Sequence, residues 1–200
     1  MFNSAHFPLL GRRFIKMELD YESLFSYRKL YLSYLKARSG KRWSDEVISY
    51  SLNLEANLHS LEKRRKRRDY PFDGYYSFSI HEPKERQIQA IHFQDRILQH
   101  CLCDFYLIPL LERHLIYDNA ATRLGKGTDF ARNRRKYFRN RFYLQHCSNR
   151  GYALKFDIHH YFPSISHSCR KEKRKRIVTD YDILRYIFFL IDTYHEEEKE

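Results

Sequence analysis

Two hundred residues with 42% hydrophobic and 16% aromatic content are enough to bury a core in one large domain or two small ones, which excludes a disordered chain. The charge is lopsided, 37 Lys and Arg against 25 Asp and Glu for a formal +12, which favours a polyanionic partner, nucleic acid first and an anionic membrane second. No apolar run approaches the roughly 20 residues of a spanning helix, no apolar stretch follows a basic N-terminus, and Cys101, Cys103, Cys147 and Cys169 make no regular framework, so the expectation is a cytoplasmic protein without membrane contact.

Residues 1–16 carry Pro8, Gly11, Arg12 and Arg13 without periodicity and read as a disordered arm or an upstream extension. From Met17 to Lys36, Leu19, Leu24, Leu30, Tyr31, Tyr34 and Leu35 recur at helical spacing, and Arg38-Ser39-Gly40-Lys41 stops them. A second helix is expected from Ser44, with Asp45 and Glu46 at its positive end and Ile48, Leu52, Leu58 and Leu61 along it. It runs into Lys63-Arg64-Arg65-Lys66-Arg67-Arg68, which reads either as a solvated helix end or as a phosphate-facing patch led by Arg64 and Arg65.

Tyr75 to His81 alternates as a half-buried strand does, with Tyr76, Phe78 and Ile80 on one face. A charged turn, Glu82 to Arg86, then returns the chain through Gln87 to Ile91, so a hairpin carrying Lys84 and Arg86 is expected. From His92 the period turns helical, with Phe93, Ile97, Cys101 and Phe105 four apart until Pro109. Cys101 and Cys103 beside His92 and His100 invite a zinc reading, but Cys-x-Cys on a helix sends the thiols to different faces.

Gly125-Lys126-Gly127-Thr128 is not a Walker A loop, which needs Gly where Ala120 stands and Ser or Thr where Gly127 stands. A basic loop tracking a nucleic-acid backbone is the milder reading. Arg132 to Tyr143 interleaves Arg132, Arg134, Arg135, Lys136, Arg139 and Arg141 with Tyr137, Phe138, Phe142 and Tyr143, so the aromatics are expected to anchor a helix to the core while the cations face out, Arg132 and Arg135 toward nucleic acid, with stacking of the rings on bases the lesser alternative. Tyr152 to Ile158 is β-prone and carries Asp157 near its end, either as a cap for the Pro163-Ser164 turn or as a metal ligand. Thr179 and Asp182 have capping-box spacing ahead of a helix with Leu184, Ile187, Phe188 and Ile191 on its core face, and Glu196 to Glu200 read as a solvated tail.

Four blocks in this order, Phe78 to Arg86, Phe93 to His100, Ala121 to Thr128 and Lys155 to His167, resemble the N-terminal part of a bacterial reverse transcriptase, of the group that includes group II intron maturases, retrons and diversity-generating retroelements. The likeness spans Met17 to Tyr194. It implies an α+β fold, a right-hand polymerase with residues 17–150 as a fingers-like region and 151–200 as a partial palm, mostly helical with a fingers hairpin and the first palm strand. It also implies RNA template, DNA primer and dNTP as ligands, and two Mg2+ ions for nucleotidyl transfer.

By this resemblance Asp157 is the first catalytic, metal-binding aspartate, the Ile158 carbonyl a neighbouring metal ligand, and Phe162 the aromatic gate against a 2′ hydroxyl. Lys84 and Arg86 would grip the triphosphate, though a solvent-exposed charged turn remains the plain alternative. Asp95 and Arg96 would form a structural ion pair, Arg123 and Lys126 would lie near the template, and His167 would tie its turn to the next helix. The family's Gly- and Gln-containing block and its Tyr-x-Asp-Asp hairpin do not occur in the sequence. The chain is therefore expected to be a truncated, frameshifted or split product, inactive alone and completed in trans by a C-terminal fragment. The alternative is a basic RNA-binding module without chemistry.

Overall fold

A computed structural model describes residues 20–70, 72–81, 85–158 and 161–193. The proposed arm at residues 1–16, Lys84, the side chain of Phe162 and the acidic tail lie outside the described residues.

The first helical stretch is two elements. α1 (Tyr21–Leu24) starts where the Asp20 carboxylate accepts the Ser23 N–H at 2.9 Å, and α2 (Tyr27–Ala37) follows a break at Phe25 and Ser26. Leu30, Ser33, Tyr34 and Ala37 lie on one face of α2 and are buried. Gly40, at φ 74°, turns the chain in the left-handed region just beyond that helix. Trp43, in the following loop, is 92% exposed.

The expected second helix is also divided, into α3 (Asp45–Leu52) and α4 (Leu54–Lys66), at Asn53, whose φ of −121° leaves the helical well. Asn57 holds the join by donating its side-chain amide to the Tyr50 carbonyl at 2.9 Å. β1 (Tyr75–Ile80) and β2 (Arg86–Ile91) pair antiparallel, Phe78 opposite Ile88 and Ile80 opposite Arg86, as the hairpin reading expects. The face of Tyr76, Phe78 and Ile80 is more open than a half-buried strand, each residue about 40% exposed.

α5 (Phe93–Leu102) buries Phe93, Ile97, Leu98, Cys101 and Leu102. A π-helical turn (Cys103–Leu107) leads to α6 (Ile108–Glu112), so the helical path passes through Pro109 instead of ending there. α7 (Thr128–His146), α8 (Tyr161–Ser164), α9 (His167–Lys175) and α10 (Tyr181–Asp192) complete the order. α10 is capped by Asp180, whose carboxylate accepts the Ile183 N–H at 2.8 Å, and not by Thr179; its buried face is Ile183, Tyr186 and Ile187.

The core gathers α1, α2, α3, α4, α5 and α10 around Leu24, Leu30, Leu58, Leu61, Ile97, Leu98 and Ile183, all fully buried, each contributing about 1.5–3 kcal/mol. Edge-to-face rings, Phe25 on Tyr186 and Phe93 on Tyr50, fill the gaps between helices. Glu46 of α3 accepts the Phe93 N–H and so caps α5 from a neighbouring helix.

The expected first palm strand is absent: residues 151–158 are neither helix nor strand and every one is exposed. Among the described residues the sheet has only β1 and β2, and no ladder reaches Tyr152 to Ile158. An isolated strand has no cross-strand hydrogen bonds to hold it, whatever its propensity.

Candidate functional site

The basic run at the end of α4 is not a uniform patch. Arg65 is fully buried, its guanidinium 5.3 Å from the Tyr70 ring and 4.9 Å from that of Tyr186. Arg68 turns to α10, giving Nε and Nη2 to one oxygen of Asp182 at 3.1 and 2.6 Å and lying 5.0 Å over Tyr21. Arg64 meets Asp69 at 3.3 Å and Lys66 meets Glu62 at 3.2 Å. The phosphate-facing reading of Arg65 is corrected by its place inside the core, where it continues the buried stripe of Leu58 and Leu61, the three standing at i, i+3 and i+7 along α4.

The second basic loop is also turned on itself. Arg123 gives Nε to Glu112 at 2.9 Å and Nη1 to the Ile116 carbonyl at 2.9 Å, with 10% of its side chain exposed. Lys126 donates to the Tyr117 carbonyl and lies 4.2 Å over the Tyr117 ring. Both shape the loop from Tyr117 to Gly127. Arg134 locks the loop to α7 by pairing with Asp118, which holds that carboxyl below its usual range, and by stacking on Tyr117, Tyr137 and Phe138.

Phe130, Arg134 and Tyr137, spaced i, i+4 and i+7, thus form the loop-facing side of α7. The other side carries Arg132, Arg135, Lys136 and Arg139, at i, i+3, i+4 and i+7, all exposed and lining a shallow recess of about 190 Å3. Arg132 meets Asp129 at 3.0 Å, and no ion pair holds the other three among the described residues. The sequence places all of these cations in one outward-facing run; the structure separates Arg134, which turns to the loop, from the four that share this side.

The aromatics of α7 do not anchor it to the core as expected. No residue of α7 is buried, and Tyr143 is 49% exposed. Phe142 instead lies against Gly151, where an added Cβ would meet its ring at 3.0 Å. α7 ends at Cys147, a left-handed residue at φ 48° whose N–H returns to the Tyr143 carbonyl at 2.7 Å.

The residues assigned by resemblance lie on different elements. Arg86 is exposed at the start of β2. Asp95 and Arg96 make no ion pair with each other: Asp95 accepts the Asp73 N–H at 3.3 Å, and Arg96 donates to the Ile91 carbonyl at 3.1 Å. Neighbours on a helix point to different sides, so one is buried and the other bridges to β2. His167 opens α9 and is partly buried.

Asp157 and Ile158 stand in the open segment, the Asp157 carboxylate accepting the Ile158 N–H at 3.0 Å. These residues do not fit a two-ion Mg2+ site: one exposed carboxylate turned to its neighbour's amide offers too few anionic oxygens for two divalent ions, and no group of three His, Cys, Asp or Glu suited to an ion occurs among the described residues.

Cys101 is buried, donates its thiol to the Leu24 carbonyl at 3.1 Å and is pushed up to about 12 by burial, so it is a core residue. Among the described residues no helix is long and apolar enough to cross a membrane. Compared with known proteins, the chain matches no family model and no curated protein.

Proposed function

We propose that the chain binds nucleic acid through the outward side of α7, as the fingers-like portion of a reverse-transcriptase-type polymerase. RNA template, DNA primer and dNTP are the ligands of that reading. The observation that carries it is the row of Arg132, Arg135, Lys136 and Arg139, an exposed cationic face on a chain of formal charge +12. In the same reading Arg86 and Lys84 meet the triphosphate, and Asp157 with the Ile158 carbonyl contributes part of a metal site that other carboxylates complete.

The exposure of Asp157 favours a second reading, a basic RNA-binding module without chemistry, which uses the same α7 face. Both are tested by anisotropy of a labelled RNA–DNA template–primer with the full chain. Replacing Arg135, Lys136 and Arg139 together by Ala is expected to lower affinity at least tenfold and to reduce the salt slope by about two to three. Replacing Lys66, which already meets Glu62, is expected to change little. Salt-insensitive binding, or affinity unmoved by the α7 variant, sinks the reading.

A further inference from the structure

The row of cations does not end in bare helix. One turn beyond Arg139, on the same side of α7, stands Tyr143, at i+4 from Arg139 and i+7 from Lys136. Half its surface is in solvent, and the aromatic contacts of α7's other side, Tyr117 with Phe130 and Tyr137 with Phe138, do not involve it. The outward side therefore holds four cations over roughly 10 Å of helix axis and then an exposed ring.

That combination suits one form of nucleic acid better than another. Cations neutralise phosphates of any polynucleotide, duplex or not. An exposed phenol ring gains only from a base whose face is free, and in a duplex every internal base face is covered by its neighbours. The loop behind α7 keeps the helix presented: Arg134, paired with Asp118, holds the opposite side against Tyr117, so the cations and Tyr143 stay turned to solvent together.

We infer that α7 binds single-stranded polynucleotide, phosphates along Arg132, Arg135, Lys136 and Arg139 and one base stacked on Tyr143. This rests on the nucleic-acid reading above and narrows it to a strand form. Phosphate pairing and ring stacking act alike on RNA and DNA, so the two strands are expected to bind equally here.

The test uses the full chain with labelled U15, dT15 and a blunt hairpin duplex of the same phosphate count, and with phosphatidylserine vesicles as a further arm. The expected result is equal affinity for U15 and dT15, a salt slope of about −3 for either, weaker duplex binding, and no vesicle binding. Tyr143→Ala is expected to lower single-strand affinity about tenfold with duplex affinity unchanged, and Tyr143→Phe to keep the single-strand affinity. Circular dichroism of both variants checks that α7 is intact.

Duplex binding as tight as single-strand binding, or an equal drop for both in Tyr143→Ala, overturns the single-strand inference while leaving nucleic-acid binding in place. Vesicle binding with no polynucleotide binding overturns both.

Discussion

Arg65 shows what a buried charge asks of its surroundings. All three guanidinium nitrogens lack a hydrogen-bond acceptor among the described residues, and the group is held instead by the faces of Tyr70 and Tyr186. A planar guanidinium can stack flat on a ring face as well as attract it by charge, which a compact ammonium does not do. Arg65→Ala removes the cation beside a buried carboxyl and leaves a cavity, so a loss of about 3 kcal/mol is expected in urea unfolding, with Arg65→Lys losing less. An unchanged urea midpoint in Arg65→Ala would show that the rings pack as well without it.

The carboxyl in question is Asp95, whose pKa burial raises above the ordinary 3.8, against the opposing pull of the Asp73 N–H, Arg65 and His92. A raised carboxyl binds more protons folded than unfolded, so its contribution makes stability fall as pH climbs from about 3.8 through the folded value. Asp95→Asn is expected to flatten that part of the profile in thermal melts taken from pH 3.8 upward. A slope left intact would place the titration elsewhere.

At the scale of elements, the strongly periodic segments were legible and their interruptions were not. α2, α5, α7, α10 and the β1–β2 hairpin follow directly from spacing. Asn53 and the Phe25-Ser26 break carry no Gly or Pro to announce them; at the first, α3 packs on α5 and α4 on α2. Arg65 was misplaced because a charge run conceals the helical phase within it. Tyr152 to Ile158 failed for the opposite reason, since its alternation is clear but a strand is a property of two segments. Hydrogen exchange follows: the amides of Leu154 and Phe156 are expected to exchange at nearly the rate of an unfolded chain, while those of Ile97 and Leu98 are protected. Slow exchange at Phe156 would mean that some other segment pairs with it.

For the whole molecule, the face proposed for binding and the residue proposed for metal chemistry stand on different segments. The cationic side of α7 is displayed on a helix with no buried residue, whereas Asp157 lies in the open segment that follows. Two divalent ions need several carboxylates to offset their charge, and Asp157 alone cannot hold both. The 200-residue chain is therefore expected to bind template–primer without extending it. Magnesium-dependent synthesis that disappears in Asp157→Asn would overturn this.

Trp43 decides how such changes can be watched. It is the single tryptophan and is 92% exposed, so its environment in the folded chain is already that of water. Its emission will scarcely shift when the core melts. The absorbance of Tyr21, Tyr34 and Tyr186, all buried, is the optical signal that follows the core, and a fluorescence melt read at tryptophan wavelengths would report a folded protein as though it had no transition at all.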